Sequence, residues 1–145
     1  MKILIEQLRK LSLFEWYVML VSMSLLPVIA MALLIFGYNK TRNILHLSVT
    51  RQVLVEAGTM RLEKSCTIAH MISIAARHGP YRANCLKQSV LLWWMLARRG
   101  ISSDIVFGVL KEPQDSLDTH AWVECGGTNI SDTKGMQQRF LAFEG

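Results

Sequence analysis

The sequence has few cysteines, and they lack the spacing of a metal site. Cys66, Cys85 and Cys125 make an odd count, and no two of them form a CxxC pair. These absences argue against a disulfide framework and against a zinc site of the usual spacing. We therefore expect reduced thiols, which favours the cytoplasm as the location of the chain, and we expect no metal ion.

Signatures of nucleotide and nucleic-acid binding are also missing. No glycine-rich loop of the Walker type is present, so we predict no nucleotide site and no cofactor. The net charge of +5 is modest, and the basic residues are scattered, so nucleic acid is not an expected partner. The charge favours an acidic peptide or an anionic membrane surface instead.

Charged side chains are absent from residues 16–38, WYVMLVSMSLLPVIAMALLIFGY. This run is long enough to cross a bilayer, and Trp16, Tyr17 and Tyr38 stand at its ends, where interfacial aromatic residues occur. Pro27 would kink such a helix. Basic residues lie on both sides, so the pattern gives no orientation. Two interpretations stay open, namely contact with the inner face of the membrane and packing against the domain or a partner subunit.

The remaining chain has the length and apolar content of one domain. With 145 residues, 51% of them hydrophobic, one core is expected. We divide the chain into a hydrophobic N-terminal helical segment, residues 1–43, and a folded domain, residues 44–145. A polar connector and a short helix are predicted over 39–60, and a helix over 61–77. His78-Gly79-Pro80 ends that helix, with glycine as its C-terminal cap.

A second helix of the domain is predicted to begin near Cys85. Asn84 is a good N-cap, since its side chain can accept a first-turn amide. The following residues are apolar on every face, which is typical of a buried helix, and Gly100 marks the exit.

The period then changes to two, which predicts strands over 105–110, 119–125 and 128–132, with a turn at Gly126-Gly127. The tail is expected to be irregular or to hold a short helix. These elements predict an α+β fold, helices followed by a small antiparallel sheet.

Cys85 is the candidate nucleophile. A thiolate is the reactive form of cysteine, and helix N-termini favour it because unpaired amides stabilise an anion there. Arg82 could add positive potential. Cys66 in mid-helix and Cys125 at a strand end lack this setting, and we expect both to be structural.

His120 is the candidate base, because it opens a strand that can hold its imidazole rigidly. Structural or surface roles are expected for the other histidines, His46, His70 and His78. An acid should orient the base. Asp132, on the next strand, is the candidate, and Glu124 and Asp118 are rivals.

The turn at Gly126-Gly127 tests Asp132. Side chains alternate faces along a strand, so a two-residue turn pairs Ala121 with Asp132 and places Asp132 on the face opposite His120. An odd-length loop or a bulge reverses that parity. A Cys-His-Asp triad therefore predicts an odd loop or a bulge.

The order of cysteine on a helix, histidine on one strand and aspartate on the next is that of papain-like and transglutaminase-like thiol enzymes. A closer resemblance covers roughly residues 61–132. The residues that carry it are Cys85-Leu86, Ser89, Leu91, Leu92, Leu96, Arg98-Arg99-Gly100-Ile101, Val106, Gly108-Val109, His120-Ala121-Trp122-Val123-Glu124 and Gly127. They resemble the lasso-peptide biosynthesis B protein, the transglutaminase-like leader peptidase, whose longer versions carry it as the microcin-processing protein C-terminal domain.

The resemblance implies a papain/transglutaminase-like fold and a cysteine peptidase that removes the leader peptide from a ribosomally made lasso precursor. It implies Cys85 as nucleophile, His120 as base and then acid, and Asp132 as orienter. The implied partners are the precursor peptide, a separate leader-binding recognition protein and an ATP-dependent lasso cyclase. Two alternatives stay open, an acyl-transferring transglutaminase or amidase with the same triad and a non-catalytic membrane-anchored scaffold.

Overall fold

The computed structural model describes residues 5–6, 9–49, 59–79, 84–110, 119–125, 128–130 and 140–142. Helices come first along the chain: α1 (Leu13–Leu47), α2 (Thr59–His78) and α3 (Cys85–Arg98). Strands follow: β1 (Asp104–Leu110), β2 (Thr119–Cys125), β3 (Thr128–Asn129) and β4 (Phe140–Ala142). The predicted α+β class, with a hydrophobic helix before a small antiparallel sheet, is confirmed.

Helix α1 begins at a capping box. The Ser12 backbone N–H donates to the Glu15 carboxylate at 2.6 Å, and the Ser12 hydroxyl accepts the Glu15 N–H at 3.3 Å. Such reciprocal bonds satisfy amides that have no partner within the first turn. The sequence therefore starts the helix before the uncharged run.

The helix extends beyond that run to Leu47, so the polar connector predicted at residues 39–43 is wrong. Gly37 interrupts the regular geometry with φ 76° and ψ 172°, a conformation that is essentially restricted to glycine. The chain bends there and resumes helical geometry, because the following polar residues carry no helix breaker.

One face of α1 enters the protein core. Val18, Met19, Leu26 and Ile29 are buried in one cluster with residues of α2 and α3. The buried Ser22 hydroxyl donates to the Val18 carbonyl at 2.6 Å, which satisfies the polar atom within the helix. The division of the chain at residue 43 stays a prediction, and the boundary falls inside α1.

Helix α2 ends at His78, one residue beyond the predicted end at Arg77. The Gly79 N–H donates to the Ala75 carbonyl at 2.8 Å. A Cβ at Gly79 would clash with the Ala75 carbonyl oxygen and would lie 3.3 Å from the Met23 Cγ of α1. Gly79 does not have a positive φ, so the close contact with the Ala75 carbonyl oxygen, rather than a left-handed cap, requires glycine here.

Helix α3 has both predicted ends. The Asn84 side chain accepts the Lys87 N–H at 3.2 Å, and Cys85 is the first helical residue. At the other end Gly100 has φ 72°. The N–H groups of Gly100 and Ile101 donate to the carbonyls of Ala97 and Leu96, at 3.0 and 2.9 Å. This pair of bonds is the Schellman motif, which suits glycine because it lacks a Cβ.

The sheet has the strand order β3-β2-β1-β4, with antiparallel neighbours. The tail was expected to be irregular or helical, but Phe140–Ala142 forms β4 and pairs with the end of β1. Pairing across the chain, rather than a local pattern, decides that strand. Helix α3 lies on β2, and the Ser89 hydroxyl donates to the Ala121 carbonyl at 3.1 Å.

Candidate active site

Cys85 lies at the N-terminal end of α3 and is half-buried. Asn84 caps this end through the Lys87 N–H, and the Asn84 carbonyl accepts the Gln88 N–H at 3.2 Å. The free amides of a first helical turn carry partial positive charge. The thiol therefore stands where a negative charge on sulfur or on a substrate oxygen is stabilised.

His120 is the second residue of β2 and is paired with Gly108 of β1. The imidazole is half-buried. It stacks on the Trp122 indole, with ring centroids 6.1 Å apart and planes inclined by 26°. The sheet and the tryptophan thus restrict the direction in which the imidazole points, as a positioned base requires.

Cys85 and His120 line the same cavity, which has a volume of about 120 Å³. Its other walls come from α2, α3 and β2 and comprise Ala69, Ile72, Ser73, Arg77, Gln88, Ser89, Leu92 and Ala121. The remainder of helix α3, together with strand β1, lies between Cys85 and His120 in the chain, and the fold nevertheless brings both residues to the wall of one solvent-accessible cavity. Such a space can admit a peptide carbonyl beside the thiol.

The hydrogen bond from Ser89 to Ala121 explains why these elements converge. Ser89 lies one turn after Cys85 on α3, and it is 2% exposed. Ala121 directly follows His120 on β2. Because the bond joins these neighbours, it holds the thiol end of the helix beside the imidazole end of the strand.

The other two thiols lie elsewhere. Cys66 is exposed on α2, and Cys125 is buried, with its sulfur 3.3 Å from the Ser102 carbonyl oxygen. Neither lines the cavity. The burial of Cys125 agrees with the structural role expected for it, whereas the exposure of Cys66 does not. Cys85 is the cysteine that lines the cavity with His120.

The other histidines are also outside the cavity. His46 stacks on Trp93, with centroids 6.4 Å apart. His70 and His78 are exposed on α2. Their side chains do not line the space beside Cys85, so His120 is the histidine that the fold brings to the thiol.

The position of Asp132 lies outside the described residues, as do those of Arg82 and Asp118. The hairpin before it has the two-residue connection, because Cys125 pairs with Thr128 and Glu124 with Asn129. The Ile130 N–H continues this register by donating to the Val123 carbonyl at 3.0 Å. The odd loop, one of the two arrangements that a triad predicts, is therefore absent, and the other, a bulge beyond Ile130, falls outside the described residues. A regular continuation would place Asp132 opposite Ala121, on the face away from His120.

Glu124, the rival acid, is on the same face of β2 as His120. Its carboxylate accepts the Trp122 indole N–H at 2.8 Å. Trp122 occupies the position between the two on that face, since side chains alternate along a strand. The carboxylate is engaged by the tryptophan that stacks on His120, so it contributes to the setting of the imidazole through that ring.

Ser73 and Arg77 are residues of the site that the sequence pattern did not indicate. Both belong to α2 and line the cavity with Cys85. Gln88 also lines the cavity. Its position close to Cys85 in the sequence is equally compatible with a side chain that faces solvent. Arg77 brings a positive charge that suits a negatively charged group of a substrate. Helical periodicity shows which residues share a face of α2. It does not show which other element packs against that face, so it does not identify these residues as part of the site.

The transglutaminase-like superfamily model matches residues 28–143 of this chain. The chain belongs to the transglutaminase-like superfamily. Domains of this superfamily are typically enzymes of the cysteine-protease type, and the match spans both Cys85 and His120. Comparisons with curated proteins and with solved structures gave no match.

Proposed function

We propose that this protein is a cysteine peptidase that removes the leader peptide from a ribosomally made lasso-peptide precursor before ring closure. The observation that carries the proposal is the shared cavity of Cys85, at the first position of α3, and His120, at the start of β2. Membership of the transglutaminase-like superfamily supports cysteine chemistry at this place. The sequence around Cys85 and His120 supports the narrower choice, because it resembles the lasso-peptide B protein.

The reaction begins at the thiol. The Cys85 thiolate attacks the carbonyl carbon at the end of the leader and forms a tetrahedral intermediate with a negatively charged oxygen. The Cys85 backbone amide is our candidate for the first donor to that oxygen, since the first N–H groups of a helix have no acceptor within the helix. The Gln88 side-chain amide lies in the same cavity and is our candidate for the second donor.

His120 then moves the protons. The imidazolium gives its proton to the amine of the core peptide as the C–N bond breaks, which leaves the leader as a thioester on Cys85. The neutral imidazole next takes a proton from water, and the resulting attack frees the leader acid and the thiol. In this mechanism Asp132 orients the imidazole. Because the described hairpin has the even register, this role requires β3 to leave the ladder after Ile130.

The partners in this proposal are the precursor peptide, a separate leader-binding recognition protein and an ATP-dependent lasso cyclase. Peptidase and cyclase follow one another, because the amine freed by cleavage is the nucleophile that ring closure consumes. The proposed location is the cytoplasm, at the inner face of the membrane. Helix α1 supports that location, since it is long and apolar enough to cross a membrane, by length and composition only.

Mass spectrometry of the precursor, incubated with this protein and the leader-binding partner, tests the proposal. We expect Cys85→Ala to abolish release of the leader and His120→Ala to nearly abolish it. Cys66→Ala is the matched control, because it removes an exposed thiol outside the cavity. Normal cleavage by Cys85→Ala would end the peptidase hypothesis.

Added amine separates hydrolysis from acyl transfer. A thioester on Cys85 can react with either water or an amine, and superfamily membership is compatible with both outcomes. A peptidase yields the free leader acid whether or not the amine is present. A leader fragment that carries the mass of the amine would favour the transglutaminase alternative, and no reaction with any acceptor would favour the scaffold.

A further inference from the structure

Helix α1 exposes a continuous apolar face. Its apolar side chains are Leu13, Tyr17, Leu20, Val28, Met31, Leu34 and Ile35. Most are three or four residues apart, and the polar Ser24 stands between Leu20 and Val28 on the same face. Leu20 and Met31 are 55% and 56% exposed, and Leu34 is 81% exposed. The polar side chain at Ser24 is satisfied within the helix, since its hydroxyl donates to the Leu20 carbonyl at 3.1 Å. An exposed apolar surface of this length marks an interaction site.

The opposite face of α1 limits how this surface can be covered. Val18, Leu26 and Ile29 belong to the same buried cluster as α2 and α3. If α1 crossed a bilayer in this arrangement, the charged end of α2 at Arg77, next to Gly79 and its contact with Met23 of α1, would enter the hydrocarbon, which is costly. The helix can instead lie along a surface, with its exposed face covered and its buried face still in the core.

A second pocket opens where α1 meets the C-terminal end of α3. It has a volume of about 250 Å³ and is lined by Tyr17, Val21, Trp94, Met95, Arg98 and Arg99. Helix α3 has 14 residues and is about 20 Å long, so this pocket lies at the far end from Cys85. Tyr17 belongs both to the pocket and to the apolar face, and the two surfaces are therefore continuous.

The two guanidinium groups of this pocket are held in place by aromatic rings. Arg98 lies 4.9 Å from the Trp94 ring centroid, and Arg99 lies 5.3 Å from that of Phe14. Arg99 Nη1 also donates to the Met95 carbonyl at 3.1 Å. Burial lowers the pKa of Arg99, and the neighbouring Arg98 charge lowers it further against the opposing effect of Tyr17. A bound anion would offset both the burial and the repulsion.

We propose that the apolar face of α1 inserts into one leaflet of an anionic phospholipid membrane, while Arg98 and Arg99 bind a lipid phosphate in the adjoining pocket. Arginine binds phosphate with several donors at once. The proposal goes beyond the peptidase function and does not depend on it, because neither surface includes Cys85 or His120.

The chemistry of α1 favours lipid over a protein partner. Protein interfaces usually have a polar rim, whereas residues 16–38 contain no charge on any face. Trp16 and Tyr17 stand exposed at one end, as at a membrane interface. Exposed cations lie beyond both ends, at Arg9, Lys10, Lys40 and Arg42, where they can meet anionic headgroups.

Flotation of the full chain with lipid vesicles tests the apolar face. We expect the protein to float with vesicles of mixed phosphatidylglycerol and phosphatidylcholine, and less with phosphatidylcholine alone. Leu20→Glu and Met31→Glu should each lower the partition coefficient at least about tenfold, since each places a charge in hydrocarbon. Thr128→Glu is the control, because it adds the same charge at an exposed strand position. Equal circular dichroism spectra establish that the variants are folded.

A neutral substitution tests the arginine pocket. Arg98→Gln should lower partition into the anionic vesicles about fivefold, the effect of one surface cation, and should leave binding to phosphatidylcholine unchanged. Lys87→Gln removes the same charge at the other end of α3 and should have a smaller effect. Equal losses in both variants would overturn the lipid pocket. Unchanged flotation of Leu20→Glu, or a lipid-free oligomer that ignores vesicles, would overturn the membrane face.

Discussion

The Ser89 hydroxyl donates a 3.1 Å hydrogen bond to the Ala121 carbonyl. The donor lies one turn after Cys85, and the acceptor directly follows His120. Cys85, the candidate nucleophile, is thus close to the donor of this buried bond, and His120, the candidate base, is next to its acceptor. Since a cavity that binds substrate needs both groups in fixed positions, we expect this bond to support the reaction as well as the fold.

Removing this bond should slow cleavage. We expect Ser89→Ala to lower the free energy of unfolding by about 1 kcal/mol and to reduce kcat of leader removal with little change in KM. Ser22→Ala is the matched control, because it removes a buried hydroxyl that bonds only within α1. Urea unfolding and initial rates check both effects. A loss of kcat in Ser22→Ala as large as in Ser89→Ala would assign the effect to general destabilisation.

The three thiols should differ in reactivity. With iodoacetamide we expect Cys85 to react fastest, because helix N-termini favour the thiolate. The exposed Cys66 should react at an ordinary rate, and the buried Cys125 slowly. His120→Ala should slow the reaction of Cys85 and leave Cys66 unchanged. Peptide mapping by mass spectrometry gives each rate, and equal rates for Cys85 and Cys66 would contradict an activated nucleophile.

Gln88 should act on the intermediate. If its amide donates to the oxyanion, Gln88→Leu should lower kcat by about a hundredfold or more, because the bond strengthens only as charge develops. Gln88→Asn, which keeps a shorter amide, should recover part of that loss. Lys87→Gln, one residue away, is the control. A rise in KM with unchanged kcat would instead assign Gln88 to substrate binding.

Asp132 and Glu124 should respond differently to neutralisation. We expect Asp132→Asn to reduce leader cleavage without abolishing it, because an orienting group can be partly replaced. Glu124→Gln should have little effect on the rate, since that carboxylate accepts the Trp122 indole N–H. Steady-state kinetics of both variants show which of the two carboxylates supports catalysis. The reverse ranking would make Glu124 the functional acid and would agree with the even hairpin register.

The ends of the elements were predictable from local chemistry. Asn84 caps α3 and Gly100 ends it, because capping depends on a few neighbouring atoms. Gly79 marked the end of α2 for a different reason from the one predicted, since its requirement for glycine arises from the Ala75 carbonyl oxygen and not from a positive φ. The tail strand β4 was missed because pairing with β1, rather than a pattern of its own, forms it.

By itself the sequence determined that Cys85 begins a helix and that His120 lies in a strand, because caps and periodicities are local. Only the tertiary structure decided that both line one cavity, that Arg77 and Ser73 complete it, and that one face of α1 is buried while the other is exposed. It also decided the hairpin register, which Gly126-Gly127 left open. These outcomes depend on contacts between residues far apart in the chain, where a uniformly apolar helix or a glycine pair permits more than one arrangement.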